Sequence, residues 1–137
     1  MVDRNPDTSA LVDRLTRYDR AVEIGVGRRP DVASSLTACG VAVTATDIHP
    51  RPVPPNVRFV IDDVVDPDVS VYTDADVLYA RHFPPELHRP ARAVAAATGA
   101  PLLFTTLGGE EPTIPVDRYA LETTTLYEAR LDGPDRS

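Results

Sequence analysis

Residues 21–47 combine a short apolar run, a turn with two glycines and a second β-branched run that ends in Asp47. The first run and the turn read VEIGVG at positions 22–27, and the second run reads VAVTATD at positions 41–47. A helix pattern over residues 30–39 separates the two runs, with a proline and an acid in its first turn. A strand, a helix and a second strand in this order form a parallel sheet with a right-handed crossover. This unit therefore restricts the chain to folds that are built around a parallel sheet.

The same alternation continues to the end of the chain. Apolar runs predict further strands and helical spacing predicts further helices, as follows: a leading helix over 7–18, strands over 57–61, 75–80 and 101–106, and a helix over 84–98. Near the end, residues 122–131 alternate polar and apolar positions, as expected for a strand at the edge of a sheet. The pattern predicts an α/β, Rossmann-like three-layer sandwich with a mostly parallel sheet of five strands and one antiparallel edge strand.

The length of 137 residues fits one compact domain, which we predict to span residues 1–137 with a frayed tail over 132–137. At this size roughly two-thirds of the surface of the unfolded chain can be buried, so a core without disulfides or metal is feasible. The one cysteine, Cys39, cannot form an internal disulfide, and we predict that it is buried near a helix end.

The charged residues are unusually distributed. All 14 basic residues are arginine, and they face 21 acidic residues for a net charge of −7. This balance disfavours broad nucleic-acid binding and attraction to anionic membranes, and it resembles proteins of halophilic, salt-accumulating cells. No apolar stretch approaches the roughly 18 residues of a membrane helix, and the amino terminus lacks a signal-peptide core. We therefore expect a cytoplasmic protein.

The glycine turn and the downstream acid predict a cofactor cleft. Gly25 and Gly27 would let a ligand approach the backbone, and the following helix would offer unpaired N–H groups. Asp47 follows Gly25 by 22 residues, close to the roughly 20 at which such units place a ribose-binding acid. These residues predict an adenosine-containing cofactor. The alternative is that the glycines only permit a tight turn and that Asp47 caps the proline-rich loop after it.

The details of the turn separate two cofactor classes. Residues 25–30 read GVGRRP, so that Pro30 stands where a dinucleotide-binding motif has its third glycine, which disfavours NAD. Glu23, two residues before the first glycine, instead resembles the E-x-G-x-G motif of S-adenosylmethionine-dependent methyltransferases. That resemblance implies cofactor contacts for Glu23, Gly25 and Gly27. The motif of those enzymes has a third glycine where this chain has Arg29.

The resemblance also extends to the ends of the second and third strands. It implies that Asp47 binds the ribose, that Ile48 packs on the adenine, and that Asp63, or less well Asp62, meets the adenine amino group.

The segment after the fourth strand predicts the reactive end of the cleft. Arg81 and His82 leave the strand, and a histidine there could act as a general base near neutral pH. The alternative is that Pro84 and the residues after it only start a helix and that His82 is a loop residue. The loop LGGEE at 107–111 could form another wall, or it could be a solvated acidic turn.

The whole chain resembles a family of small uncharacterised archaeal proteins with a truncated Rossmann-like, methyltransferase-like domain. The resemblance rests on VEIGVG, TATDIHP, the Asp-Asp pair after the third strand, RHFPPEL and LGGE. It implies the fold and provides no catalytic residue. A full methyltransferase domain ends with two further strands, whereas this chain has length for about one.

Three functions remain open at this point. The first is an S-adenosylmethionine-dependent methyltransferase of unknown acceptor, with Arg81 and His82 facing that acceptor. The second is a non-catalytic nucleotide- or metabolite-binding or assembly module that works with a protein partner or as a homo-oligomer. The third and least favoured is an NAD-dependent oxidoreductase. We predict no metal site, because His49 and His88 lack neighbouring ligands at suitable spacing.

Overall fold

The computed structural model describes residues 6–132, which form the predicted alternation of strands and helices. In chain order the elements of this part are α1 (Pro6–Leu15), β1 (Arg20–Glu23), α2 (Asp31–Ala38), β2 (Ala42–Asp47), β3 (Arg58–Ile61), β4 (Val77–Ala80), α3 (His88–Thr98), β5 (Leu102–Phe104), β6 (Val116–Ala120) and β7 (Thr125–Ala129). Single 3₁₀ turns cover Val69–Val71 and Pro85–Leu87. None of these helices combines the length and the apolar character needed to cross a membrane. The predicted tail lies outside the described residues apart from Asp132.

The strands form one sheet in the order β3-β2-β1-β4-β5-β7-β6. The first five pair in parallel, and β7 pairs antiparallel with both β5 and β6. The order reverses between β1 and β4, because the chain runs outward from β1 to β3 and then returns to the other side of β1. In open α/β sheets the crevice at such a reversal, at the carboxyl ends of the strands, is where ligands bind.

Helices cover both faces of the sheet, which confirms the predicted three-layer sandwich. Along β4, Leu78 packs in the cluster that contains α3, whereas Val77 and Tyr79 pack in the cluster that contains α1 and α2. Successive side chains of a strand point to opposite faces, so a strand covered on both sides is apolar throughout. All four residues of β4 are almost completely buried, and this strand is the centre of the domain core.

The prediction of five parallel strands and one antiparallel strand is wrong in one respect, because the described sheet has seven strands. The missed strand is β6, which carries only one buried residue, Val116, and therefore lacks an alternating apolar pattern. The predicted edge strand corresponds to β7, which lies inside the sheet between β5 and β6. Its Leu126 and Tyr127 are buried on opposite faces. The chain was expected to have length for about one of the two closing strands of a full methyltransferase domain. Both closing strands, β6 and β7, are present.

Two local predictions about helix ends have different outcomes. Gly40 ends α2 as predicted, with a left-handed φ of 92°. The prediction that Cys39 is buried is wrong, because Cys39 is the exposed residue that caps the carboxyl end of α2. The core-facing side of this helix is formed earlier, by Val32, Ala33 and Leu36.

Candidate functional site

A groove of about 1500 Å³ lies at the carboxyl ends of β1, β4 and β5. Its walls are the glycine loop after β1, one face of α2 along its length, α1, the loop after β5 and the turn between β6 and β7. Five of the eight predicted site residues line this groove: Glu23, Gly25, Gly27, Arg81 and His82. The other three, Asp47, Ile48 and Asp63, do not line it. The groove therefore combines the first predicted motif with the fourth-strand segment, at the reversal of strand order.

The glycine loop has the backbone conformation that its sequence predicts. Gly25 has a φ of 71° and Gly27 a φ of 62°, a region that residues with a Cβ rarely adopt. A Cβ built on either glycine would meet no atom within 4 Å, so the need for glycine is conformational and the space above the loop is open. The N–H of Val26 donates to the carbonyl of Thr46 at 2.9 Å, which fixes the loop to β2.

Replacing Gly27 by alanine is expected to lower the free energy of unfolding by roughly 1–2 kcal/mol, since a Cβ is disfavoured in the left-handed region. Chemical denaturation at constant high salt measures this change. Gly109 is the matched control, because it lies in the loop after β5 with an ordinary φ and open space at its Cβ position. Equal destabilisation by Gly27→Ala and Gly109→Ala would contradict the conformational explanation.

Glu23 is a buried carboxylate at the floor of the groove, with only 1% of its surface exposed. The hydroxyl of Tyr79 donates to its Oε1 at 2.8 Å, and the Nε of Arg81 lies 4.0 Å from its Oε2. Burial disfavours the ionised form and raises the pKa of Glu23 to about 7, although the Arg81 charge and the Tyr79 hydroxyl oppose this shift. Glu23 can therefore change its charge near neutral pH.

Arg81 joins three parts of the site. Its Nη2 donates to the carbonyl of Arg29 at 2.6 Å and to Oδ1 of Asp31 at 2.9 Å. Its Nη1 lies 3.4 Å from Oδ2 of Asp31. The glycine loop, the first residue of α2 and the floor carboxylate of Glu23 are thus held by one side chain. Its guanidinium is engaged within the protein, and its predicted role toward an acceptor stays a prediction.

His82 is exposed and has a φ of 49°, which makes it the only non-glycine residue with a positive φ in the described chain. Its backbone N–H donates to Thr105 Oγ1 at 3.0 Å, and the next N–H, of Phe83, donates to the Thr105 carbonyl at 2.8 Å. These two bonds hold the strained residue against the end of β5. Such strained positions are concentrated at functional sites. His82 lines the groove, and its role as a general base stays a prediction.

Asp47 stabilises the glycine loop from the neighbouring strand. Its Oδ2 accepts the N–H of Gly27 at 2.9 Å, and its Oδ1 accepts the N–H of His49 at 3.0 Å. Arg51 lies 3.4 Å from Oδ1, and Asp47 is only 8% exposed. These backbone bonds and the arginine hold the pKa of Asp47 below its usual range against the opposing effect of burial. The predicted ribose acid is therefore ionised and already has structural partners.

The two residues predicted to contact the adenine lie at the carboxyl ends of β2 and β3, beside the groove. Ile48 is 59% exposed, and Asp63 is exposed with one oxygen accepting the N–H of Val65 at 2.9 Å. Asp62, the weaker candidate, accepts the Tyr72 hydroxyl at 2.5 Å and holds its own loop. Of the two acids, Asp63 is the more exposed, and its contact with the adenine stays a prediction.

Sequence reasoning missed the role of the buried His88, which joins the segment after β4 to the loop after β5. It is fully buried between Phe83 and Phe104, with ring centroids 5.4 Å and 4.6 Å away. Its Nδ1 accepts the N–H of Thr113 at 3.2 Å, which makes Nε2 the donor to the carbonyl of Phe83 at 3.0 Å. Burial lowers the pKa of His88. The sequence shows only a histidine in a helix, without a signal for this role.

Sequence reasoning also missed Tyr79, Asp31 and Thr105, the partners that position the predicted residues. Tyr79 was recognisable as an inward-facing position of an apolar strand. Asp31 was assigned only to the helix start, and its bond to Arg81 joins residues 50 positions apart in the sequence. Long-range polar contacts of this kind leave no periodic pattern in a single sequence.

The loop after β5 forms part of the groove wall, although its acids are directed to other contacts. Gly108 lines the groove with a φ of 63°. Thr106 Oγ1 donates to the carbonyl of Glu110 at 2.8 Å, and Glu111 is paired with Arg118 of β6 at 2.8 Å. Neither glutamate lines the groove, which favours the solvated-turn interpretation of these two residues. Within residues 6–132, no group of three or more histidine, cysteine or acidic side chains is arranged to hold a metal ion.

The fold is shared with known methyltransferases. A TehB-like S-adenosylmethionine-dependent methyltransferase from Corynebacterium glutamicum superposes with a TM-score of 0.63 at 14% identity, over 92% of this chain and 86% of that one. An RNA methyltransferase from Salinibacter ruber in complex with S-adenosyl-L-homocysteine gives a TM-score of 0.60 at 16% identity, over 94% and 92% of the two chains. At these identities the likeness establishes the Rossmann-like fold.

Relatives of similar sequence are archaeal. A UPF0146 protein of Halobacterium salinarum is 50% identical over 126 residues, which are 91% of this chain and 96% of that protein. A UPF0146 protein of Archaeoglobus fulgidus is 37% identical over 91 residues, which are 66% of this chain and 70% of that protein. The model of the uncharacterised protein family UPF0146 matches residues 7–129, from α1 to the end of β7. This chain therefore belongs to the UPF0146 family of archaeal proteins.

Proposed function

We propose that the groove binds an adenosine-containing cofactor, with S-adenosylmethionine as the best candidate, and that the protein is a methyltransferase of unknown acceptor. The observation that carries this proposal is the glycine loop at the reversal of strand order. Its two glycines are left-handed and open toward the groove, so that a ligand can approach the backbone. The likeness in fold to methyltransferases, one of them in complex with S-adenosyl-L-homocysteine, supports this cofactor class.

The proposed binding mode divides the cofactor between the groove and the neighbouring strand ends. Gly25 and Gly27 would contact the central part, and Glu23 would lie under the amino-acid end. Asp47 would reach the ribose with the lone pairs that its present hydrogen bonds leave available, since each carboxylate oxygen can accept two bonds. Ile48 and Asp63 would contact the adenine, and their exposure at the ends of β2 and β3 fits that role.

A non-catalytic binding module is the second candidate, and the contacts of Arg81 favour it. Arg81 lines the groove, but its guanidinium is already bonded to Asp31 and to the carbonyl of Arg29. On the acceptor side this leaves His82 as the remaining predicted catalytic group. A module of this kind would bind the cofactor and release it unchanged.

Calorimetric titration in high salt, with S-adenosylmethionine, S-adenosylhomocysteine and NAD as separate ligands, tests the proposal. We expect both adenosyl sulfur compounds to bind with one site per chain and NAD to give no heat beyond dilution. Binding of NAD alone would favour the oxidoreductase alternative. Absence of binding by all three ligands would contradict an adenosine-cofactor site.

A further inference from the structure

The sheet has two edge strands, and they differ in how well they are protected from pairing with another strand. On β6, Asp117 is paired with Arg130 at 2.9 Å, and Arg118 is paired with Glu111 at 2.8 Å. Charged side chains along an edge strand discourage edge-to-edge pairing. The other edge, β3, has the sequence RFVI, in which Arg58 is the only charge. One edge is therefore charged and the other is mostly apolar.

The outer side of β3 offers backbone groups that are ready to pair. The N–H of Asp62 donates inward to the carbonyl of Asp47 at 3.0 Å, and successive residues of a strand direct their backbone groups to alternate sides. Val60 therefore also bonds toward β2, whereas the N–H and C=O groups of Phe59 and Ile61 point away from the sheet. Within residues 6–132 no hydrogen bond to these outward groups is present.

Apolar side chains are exposed on β3 and in the segment that follows it. Ile61 is 57% exposed, Val65 is 59% exposed and Val69 is 44% exposed. Val65 and Val69 belong to the loop after β3, which is closed onto its own start because the N–H of Asp68 donates to Asp62 at 2.9 Å. Exposed side chains of this size next to an open strand edge are typical of interaction surfaces.

We propose that a second copy of this chain pairs with β3 in antiparallel orientation, so that two seven-stranded sheets join at this edge. Only residues with outward backbone groups can form the hydrogen-bonded pairs. The register that pairs Phe59 with the partner's Ile61, and Ile61 with the partner's Phe59, satisfies this condition on both chains. In this register the two copies of Val60 lie opposite each other, and the twofold axis passes between them.

Charge complementarity selects this occupant and this register. With the axis at Val60, each Arg58 lies opposite the partner's Asp62. Arg58 is exposed and has no ion pair within the described residues, whereas Asp62 is a half-buried carboxylate. Registers shifted by one hydrogen-bonded pair place Asp62 opposite the partner's Val60 or beyond the strand, and so lose this match. On each chain the positive and the negative side chain lie on opposite sides of the twofold axis of the dimer. Such a surface is complementary to a second copy of itself.

A disulfide across the axis tests both the partner and the register. The pair of Val60 residues is not hydrogen-bonded to each other, so their Cα atoms would lie about 4.5 Å apart, within the range that a disulfide spans. We expect Val60→Cys in a Cys39→Ser background to form a disulfide-linked dimer under mild oxidation. Asn56→Cys in the same background is the matched control, because Asn56 is exposed and outside the Arg58–Asp62 pair, and its two copies would lie roughly 26 Å apart, at about 3.3 Å per residue. Equal cross-linking of the two variants would overturn the register.

Sedimentation velocity at several protein concentrations tests the association without any cross-link. We expect the wild type to form a dimer, and Arg58→Glu or Ile61→Lys to shift it to monomer without loss of folded structure, since both side chains are exposed. Asp117→Arg on the other edge should leave the dimer intact. A wild type that is monomeric at all concentrations, in low and in high salt, would overturn the proposal. A dimer that is insensitive to Arg58→Glu and to Ile61→Lys would assign the contact to another surface. Neither test depends on cofactor binding, so it can fail while the proposed function stands.

Discussion

Replacing Arg81 by methionine is expected to lower the free energy of unfolding by about 3–5 kcal/mol at pH 8, and by less at pH 5. The guanidinium joins Glu23, Asp31 and the carbonyl of Arg29, so its loss leaves a buried carboxylate without its compensating charge. Methionine keeps the length and much of the packing of the arginine stem. The loss in stability is therefore mainly electrostatic.

The pH dependence of this effect follows from the raised pKa of Glu23. Its pKa is about 7 in the folded chain and 4.5 as the ordinary value, so folding favours the protonated form. The stability that this gives is complete below pH 4.5 and is lost as the pH rises through 7. The charge of Arg81 lowers the pKa of Glu23. Without Arg81 that pKa is therefore expected to rise further. The destabilisation by Arg81→Met should therefore grow as the pH rises above about 7, where Glu23 is ionised in the wild type and still protonated in the variant.

Denaturant unfolding of the wild type and the variants between pH 5 and pH 8.5, at fixed ionic strength, measures this dependence. Glu23→Gln should flatten the decrease in stability between pH 4.5 and 7, and in that background Arg81→Met should cost clearly less. Arg118→Met is the matched control, because its pair with Glu111 is exposed and contributes at most about 1 kcal/mol. A loss for Arg81→Met that is the same at every pH, or no larger than that of Arg118→Met, would contradict the role assigned to the cluster.

Replacing Asp47 by alanine is expected to weaken binding of the adenosyl ligand by roughly 1–3 kcal/mol, or about 5- to 150-fold. The same variant should also unfold more easily, because it leaves the N–H groups of Gly27 and His49 without their acceptor. Calorimetric titration gives the first quantity and denaturant unfolding the second. Both effects arise from one carboxylate that holds the loop and, in the proposed binding mode, contacts the ribose.

Two further aspartates separate the structural part of this effect from the binding part. Asp63→Ala should weaken binding with little change in stability, because its carboxylate is exposed at the end of β3. Asp66→Ala, an exposed neighbour in the same loop, should change neither. Unchanged affinity in both Asp47→Ala and Asp63→Ala would contradict the proposed position of the ribose and adenine.

The sequence predicted the parallel part of the sheet well, since buried parallel strands are continuous apolar runs between helices. Strands β1 to β5 and the helix ends at Gly40 and Gly99 were recognisable from residue type alone. Strand β6 was not, because four of its five residues are exposed and its pairing depends on β7. The same omission led to the wrong position of β7, because a strand appears to be an edge when its outer neighbour is not recognised.

The candidate site was predictable where a motif depends on backbone conformation. The glycines needed a left-handed φ, and both have one. The acids were harder, because what a carboxylate contacts depends on residues that are distant in sequence. Asp47 bonds to a backbone N–H 20 positions away, and Glu23 to a tyrosine 56 positions away. The cluster around Arg81 depends on such contacts, so its structural role could not be predicted from the sequence.

The central claim, that the glycine loop binds an adenosine-containing cofactor, is tested most directly by amide chemical shifts of the ¹⁵N-labelled protein during titration with S-adenosylhomocysteine. We expect saturable shifts of the Gly25 and Gly27 amides, and smaller shifts of the Asp47 and Ile48 amides in the same titration. The strand β6, on the far edge of the sheet, should stay unchanged. Glycine amides that do not move while the ligand is present in excess, or shifts confined to β6, would contradict the claim.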